Sequence, residues 1–210
     1  MKTTTCNERE QVSIGRKHFM NHPLTKSKIN RKDMRVGCWL ATTLVAAAFF
    51  LFSTSPAISA PPDMETYDLL ERFHGHTCAG SLMGLRLGLA AKEALNGGQK
   101  LHAKCSVLAC PVDGIQVGAG TTYGNKALEV GNGKELYLIL TDSQSGRQVE
   151  ARLTEKAMEM GKRYRDLSSQ KNAQASGSPE QVRLEKEVAA VLDWFRTAPD
   201  VEVVTIKTLQ

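Results

Sequence analysis

Residues 73–88 have the sequence FHGHTCAGSLMGLRLG, a polar corner followed by an apolar segment. The corner places two imidazoles and a thiol within five residues, at His74, His76 and Cys78. Before it, METYDLLERF has its apolar residues on one helical face, and after it Ser81 is a candidate cap for a second helix that extends to about Leu95. The stretch therefore predicts a helix–corner–helix unit with metal-binding side chains at the corner.

Glycine recurs at every fourth position of the second predicted helix, at Gly80, Gly84 and Gly88. Residues four apart share a helical face, and a glycine inside a helix costs roughly 1 kcal/mol relative to alanine. Close approach of another helix, of a dimer mate or of a ligand would offset this cost. Packing against a helix or a dimer mate is the favoured interpretation.

Downstream, the pattern alternates between candidate strands and helices. Strands are predicted at 101–109, at 126–130 and 135–141 joined as a hairpin by Gly131-Asn132-Gly133, at 148–153 and at 201–206. Helices are predicted at 112–117, 153–167 and 180–197, with a polar linker at 170–179. This order predicts an α+β fold with N-terminal helices, a central and mainly antiparallel sheet, and C-terminal helices with a late strand.

The first 60 residues have the features of a secretory signal peptide. An uncharged apolar run at 36–52 follows basic residues and precedes Ala57-Ile-Ser-Ala60, an A-x-A cleavage site. We expect cleavage after Ala60 and a periplasmic or secreted protein, with an uncleaved membrane anchor as the alternative. Met34 is a more ordinary starting residue for such a signal, and residues 61–210 have the length of a single domain.

Removal of the signal changes the charge and the cysteine count. Residues 1–60 hold nine of the 27 Lys and Arg and three of the 22 Asp and Glu, which leaves 61–210 with a net charge of −1 and no basis for a nucleic-acid function. Three cysteines remain in 61–210: Cys78, Cys105 and Cys110. An odd number leaves at least one thiol for a metal, an intermolecular bond or the free state, and a bond between Cys105 and Cys110 stays open.

Two groups of residues are candidates for metal binding. His74, His76 and Cys78 offer the imidazole and thiolate donors that zinc, copper and iron favour; the alternative is a helix-capping histidine beside a small buried cysteine. Cys110 precedes a predicted helix, and Asp113 lies in the first turn of that helix. The helix N-terminus would lower the pKa of the Cys110 thiol. Asp113 is equally explained as a helix-terminal acid, and Cys105 is predicted to be a core residue.

A small-residue loop follows, Gly118-Ala-Gly-Thr-Thr-Tyr-Gly124. It lacks the ending of a phosphate-binding loop and does not match a dinucleotide fingerprint. Its dense backbone N–H groups are nevertheless suited to an anion. A hypothetical site for a small anionic ligand or metal complex is formed by Arg86, Gly120, Thr121, Thr122 and Gly124.

Two blocks of this sequence resemble the FmdE family, which is named after a component of formylmethanofuran dehydrogenase. FHGHTCAG followed by GLRLG resembles the family signature F-H-G-H-x-C-P-G and G-x-R-x-G. CPVDGIQ followed by GTTYGNK resembles C-x-x-D-A-I-Q and T-G-C-T-x-G-K-G-N. The resemblance implies an α+β domain that forms a homodimer, with metal bound near His74, His76, Cys78, Cys110 and Asp113.

The departures from the family pattern limit what can be transferred. Ala79 replaces a proline of the corner, and Thr121 stands where the family commonly has a cysteine, so a site that uses that thiolate would lack one ligand. The cysteine-rich zinc ribbon of many members has no counterpart after Cys110. The family's name is also no guide to activity, because formylmethanofuran chemistry is cytoplasmic and needs a pterin cofactor and further protein components.

The leading hypothesis is an exported metal-binding protein that carries a transition metal or metal complex, or assists its uptake, with zinc as the first candidate. His74, Cys78 and Cys110 are the primary ligands, and His76 and Asp113 are further ligands or orient an imidazole. One alternative is an enzyme, either a zinc hydrolase with Asp113 as base or a thiol enzyme with Cys110 as nucleophile. Another is a dimeric interaction module without metal, formed through the glycine face.

Overall fold

The computed structural model describes residues 62–209, which fold into six helices and five strands. The predicted signal peptide and its cleavage site lie outside the described residues. In chain order the elements are α1 (Met64–His74), α2 (Ala79–Ala94), β1 (Leu101–Cys105), α3 (Pro111–Ala119), β2 (Leu128–Val130), β3 (Tyr137–Asp142), β4 (Gln148–Leu153), α4 (Glu155–Asn172), α5 (Pro179–Thr197), α6 (Asp200–Val203) and β5 (Val204–Leu209). The α+β class is confirmed.

The five strands form one mixed sheet in the order β2-β1-β3-β4-β5. Only β1 and β2 pair in parallel, and the other three pairings are antiparallel. Side chains alternate along β3 and β4, so that Leu138, Leu140, Val149 and Ala151 are all buried. Helix α2 packs on these two strands, and the core lies between it and the sheet.

The predicted hairpin between 126–130 and 135–141 is wrong, because β1 lies between these two strands. The connecting glycines bind the end of β1 instead of forming a tight turn. The Gly131 amide donates to the Cys105 carbonyl at 2.8 Å, and the Gly133 amide donates to the Ser106 carbonyl at 2.7 Å. This loop therefore passes around the end of β1, and β1 itself stops at Cys105, four residues earlier than predicted.

The glycine face of α2 packs against α3 of the same chain. A Cβ built on Gly84 would lie 2.7 Å from the carbonyl carbon and from the Cα of Pro111, and one on Gly88 would lie 2.8 Å from the amide nitrogen of Ala119. On the facing helix, a Cβ on Gly118 would lie 2.6 Å from the Leu85 carbonyl oxygen. The prediction of helix packing is confirmed, and a homodimer would have to use another surface.

The C-terminal helices extend further than predicted. Helix α4 continues through part of the expected linker to Asn172, and α5 begins at Pro179 after Ser178, whose hydroxyl accepts from the Gln181 amide at 3.1 Å.

Between residues 62 and 209 no helix combines the length and the apolar character needed to cross a bilayer.

Candidate metal centre

The corner between α1 and α2 is formed by local capping. Helix α1 ends at His74 because Gly75 adopts a left-handed φ of 83°, and the Gly75 amide donates to the Glu71 carbonyl at 2.8 Å. Helix α2 begins at Ala79, and its N-cap is Cys78, three residues before the predicted cap Ser81. The Cys78 sulfur accepts from the Ser81 amide at 3.4 Å.

This corner brings three predicted ligands together. One donor atom from each of His74, His76 and Cys78 lies within 4.8 Å of the others. The two imidazole rings are 4.6 Å apart between centroids, and the His74 Nε2 lies 3.6 Å from the Cys78 sulfur. His74 and Cys78 are largely or fully buried, whereas His76 is exposed, so the group is open on the His76 side.

Asp113 from the first turn of α3 orients the His74 ring. The Nδ1 of His74 lies 2.7 Å from the Asp113 Oδ2 and can donate to it, which leaves Nε2 free on the side of the Cys78 sulfur. The other Asp113 oxygen accepts from Gln116 Nε2 at 3.2 Å. Asp113 thus occupies the position of a carboxylate that fixes the tautomer of a metal-binding histidine.

Cys110 lies beside Cys78 but outside the tight group of three donors. The two cysteines flank Gly80, where an added Cβ would be 3.0 Å from the Cys110 Cβ and 3.7 Å from the Cys78 sulfur. Cys110 is exposed and all three described cysteines are free thiols. Cys105 is buried, as predicted, and its thiol donates to the Val107 carbonyl at 3.2 Å.

The prediction of a lowered pKa for the Cys110 thiol is wrong. Burial opposes ionisation of Cys78, but hydrogen bonds with Ser81, His74 and Cys110 outweigh it and lower the pKa of the Cys78 thiol. Burial and the adjacent charge of Cys78 raise the pKa of the Cys110 thiol, although Cys110 precedes a helix N-terminus. Of the two thiols, Cys78 therefore ionises at the lower pH.

His74 also has a shifted pKa. Burial alone would lower the pKa of the imidazole, but the hydrogen bonds to Asp113 and Cys78, together with their negative charges, raise it above its ordinary value. A cation at this position, whether the imidazolium or a metal ion, is thus stabilised by two neighbouring anionic groups. Because a metal must displace the proton, metal binding here depends on pH.

The predicted anion site is not assembled around Arg86. The Arg86 guanidinium is fully buried and donates to the Phe195 carbonyl at 2.7 Å, the Ala198 carbonyl at 2.6 Å and the Asp200 carboxylate at 2.5 Å. These internal contacts hold α2 to the C-terminal helices, and they correct the assignment of Arg86 as a ligand contact. A charge at this depth is stable because its donors are satisfied within the chain.

The loop after α3 connects to the candidate metal centre through Gln116. Helix α3 ends at Gly120 with a φ of 73°, and the Tyr123 amide donates to the Gln116 Oε1 at 3.2 Å. Thr122 and Gly124 are exposed, while Thr121 is buried and its hydroxyl has no partner within residues 62–209. Gln116 was not identified from the sequence, although its spacing of three residues from Asp113 on a helix could have suggested it.

A large groove begins at the corner and extends across the sheet end toward α4. It has a volume of about 940 Å³ and reaches His76, Cys78 and Cys110. Its remaining walls come from α2, from the segments 107–111 and 132–136, from the end of β4 and from α4. These residues lie up to about 90 positions from the corner, so sequence spacing gave no signal for them.

Two kinds of chemistry are compatible with this arrangement. Imidazole nitrogen and thiolate donors that converge within a few ångströms, with one imidazole held by a carboxylate, match the ligand set of a zinc or other transition-metal site. A thiolate 3.6 Å from an imidazole nitrogen is also an activated nucleophile. In that case the nucleophile would be Cys78 and not the predicted Cys110.

Residues 73–205 match the sequence profile of the family described as FmdE, molybdenum formylmethanofuran dehydrogenase operon. Among solved structures, the chain is similar to a protein from Syntrophus aciditrophicus described as tungsten formylmethanofuran dehydrogenase subunit e (FmdE)-like, with 20% sequence identity, coverage of 72% of this chain and 77% of that chain, and a TM-score of 0.49. A search of curated proteins finds no match. The match includes both candidate metal-ligand segments and spans more than half of the sequence, and the protein therefore belongs to the FmdE family.

Proposed function

We propose that this protein binds a transition-metal ion, zinc in the first instance, and serves as an exported carrier of the metal or of a metal complex. The observation that supports this most directly is the convergence of His74, His76 and Cys78 within 4.8 Å, with the His74 ring held by Asp113 at 2.7 Å. Imidazole and thiolate are the donors that zinc takes in proteins. The lowered pKa of Cys78 favours the charged form that binds a metal.

Cys110 is the proposed fourth ligand. It lies beside Cys78 and on the same groove, and its exposed side chain leaves it free to turn toward a bound ion. Two imidazoles and two thiolates would form a closed tetrahedral site of the kind that stores or carries zinc. In this proposal Asp113 is not a ligand but keeps Nε2 of His74 available by holding Nδ1.

A second candidate, a metal-dependent enzyme, is favoured by the position of Cys110 outside the tight donor group. Three protein ligands would leave one coordination position open toward the groove of about 940 Å³. A metal with such an open position lowers the pKa of a bound water and so supplies a nucleophile at neutral pH.

The test is elemental analysis of the full chain, purified under reducing conditions and without a metal-binding tag, together with two variants. We expect close to one metal ion per chain in the parent, loss of the metal in Cys78→Ser, and retention in Cys105→Ala, whose thiol is buried away from the corner. Equal metal content in Cys78→Ser and the parent would refute the proposed site.

Cobalt substitution then separates the two candidates. Cobalt(II) bound to thiolates shows charge-transfer absorption whose intensity rises with the number of sulfur ligands. A closed site predicts that Cys110→Ser reduces this absorption and weakens binding. An open site predicts that Cys110→Ser leaves both unchanged while Cys78→Ser abolishes them.

The proposal includes export and a homodimer. If the chain is exported, the protein recovered outside the cytoplasm should begin at Pro61, and mass spectrometry of the intact protein measures this. The homodimer is tested by sedimentation velocity. Recovery of a chain that retains residues 1–60 would contradict export with cleavage. A single monomeric species at all concentrations would contradict the homodimer.

A further inference from the structure

The groove beside the metal residues combines an apolar wall with unpaired positive charge. Met83, Leu136 and Met158 contribute apolar surface from α2, the β2–β3 connection and α4. Lys134 and Arg165 contribute cationic groups from the same connection and from α4. An enclosure of about 940 Å³ is within the size range of pockets that hold small organic molecules.

The two cations differ from most of the basic residues around them. Within residues 62–209, neither Lys134 nor Arg165 has a carboxylate within 4.0 Å, whereas Arg152 on the same groove is held by Glu150 at 2.7 Å and lies 3.7 Å from Glu135. Glu135 is the one acidic residue on the groove wall among the described residues. The groove therefore has a net positive charge in a domain whose overall charge is close to neutral.

We infer that the groove binds a small organic anion with an apolar body, whose charged group pairs with Lys134 and Arg165. An inorganic anion would leave the apolar wall exposed, and an uncharged apolar molecule would leave both cations unpaired. The inference rests on the proposed function at one point: the inner end of such a ligand would reach His76 and Cys78, which are proposed to bind the metal. The ligand would then be a chelating organic acid, or a metal complex with an anionic organic shell.

Two fluorescent probes test the charge requirement directly. Anilinonaphthalenesulfonate has an apolar body and a sulfonate, and N-phenylnaphthylamine has nearly the same body without the charge. In titrations of the full chain we expect the sulfonate to bind at a single site and about fivefold more tightly than the amine, because it would pair with two exposed cations and each exposed pair contributes modestly. Equal affinities of the two probes would overturn the inference.

Matched variants locate the site. The double variant Lys134→Gln and Arg165→Gln should weaken sulfonate binding about fivefold and leave amine binding within about twofold. Arg163→Gln removes a cation from the same helix that is not on the groove wall and lies 3.7 Å from Glu187, and it should change neither affinity. Loss of sulfonate binding in Arg163→Gln, or its persistence in the double variant, would contradict the assignment.

A further control separates the groove from other exposed apolar surface. Leu69 is 49% exposed on α1 and is absent from the groove wall, so Leu69→Glu should leave probe binding intact. If Leu69→Glu abolishes binding, the probe occupies that surface instead of the groove. If sedimentation shows that binding disappears when two chains associate, the groove is an interface between copies, and this also overturns the inference.

Metal content measured on the same samples distinguishes this inference from the proposed function. Charge-dependent probe binding to a parent protein that holds no metal, even after reloading, would support the groove and refute the metal function. Charge-independent binding to a metal-loaded parent would support the metal function and refute the groove. Metal retained by the double variant while sulfonate affinity falls would support both.

Discussion

The contact between α2 and α3 makes a quantitative prediction at Gly84. A Cβ at this position would lie 2.7 Å from two backbone atoms of Pro111, whereas ordinary contact begins at 3.4 Å. The Pro111 carbonyl oxygen would lie closer still, so in Gly84→Ala the first turn of α3 would have to retreat by more than about 0.7 Å. The obstructing atoms belong to the backbone, so a side-chain rotation cannot relieve the overlap.

The expected cost follows from two opposing terms. Overpacking of a close contact costs up to about 3 kcal/mol, and replacing a helix-interior glycine by alanine returns roughly 1 kcal/mol through helix propensity. The net loss of unfolding free energy is about 2 kcal/mol, which for a domain of this size lowers Tm by roughly 4–8 °C. Because the same turn holds Cys110 and Asp113, the displacement should also weaken metal binding.

The assay is thermal unfolding of the metal-free protein with chelator present, so that loss of bound metal does not contribute to Tm. Gly124→Ala is the matched control, because a Cβ at Gly124 meets nothing within 4 Å and the backbone there is not left-handed. Its unfolding free energy should stay within about 0.5 kcal/mol of the parent. A Gly84→Ala protein that melts at or above the parent temperature would refute the tight helix crossing.

Three further predictions concern buried charge and the candidate metal centre. Arg86→Met leaves Asp200 and two carbonyls without their donor and should lower the unfolding free energy measured in urea by about 3–5 kcal/mol. Arg183→Met, which removes an exposed ion pair, should lower it by less than about 1 kcal/mol. Equal losses in the two variants would contradict the internal role of Arg86. Asp113→Asn should weaken zinc affinity about 10–100-fold in a chelator competition, and an unchanged affinity would remove its orienting role. Because the pKa of His74 is raised, protons compete with zinc for this imidazole at a higher pH than they do for an ordinary histidine. Asp113→Asn should therefore move the midpoint of the curve of zinc affinity against pH to lower pH. A midpoint that does not move would contradict the hydrogen bond between His74 and Asp113.

His74 also makes metal-free stability depend on pH. Its pKa is higher in the folded state than the ordinary value of 6.5, so the stabilisation from its ion pair with Asp113 is fully present below pH 6.5 and is lost as pH rises through the folded pKa. The difference in unfolding free energy between the parent and His74→Gln should therefore be larger at pH 5.5 than at pH 8. A difference that grows with pH would show that the imidazole is buried in its neutral form.

Local signals predicted the helices and the corner. Asp63 caps α1 through a 2.8 Å bond to the Thr66 amide, and Gly75 ends this helix in a left-handed conformation. These contacts span three to four residues, so they can be predicted from the residue types at those positions. For the same reason the convergence of His74 and Cys78 could be predicted, because two side chains four residues apart at a helix end lie on the same side of the chain.

The strand pairing could not be predicted in the same way. Residues 126–130 and 135–141 are separated by a glycine-containing turn, which on local grounds favours a hairpin. The glycine amides bind the end of β1 instead, and β1 lies more than 20 residues earlier in the chain. Local turn preferences carry no information about such a distant partner, because the competing pairings differ only in long-range contacts.

The roles of Arg86, Cys110 and the groove were decided by tertiary contacts. Arg86 binds Asp200, 114 positions later, and the pKa of Cys110 is raised by partial burial and by the neighbouring Cys78. Residue type and spacing identified the donors of the candidate metal centre, because those donors lie within a few residues of one another or in a family motif. Which donors meet, which thiol ionises and which cations remain unpaired depend on burial and on charges brought from distant elements, and these exist only once the chain has folded.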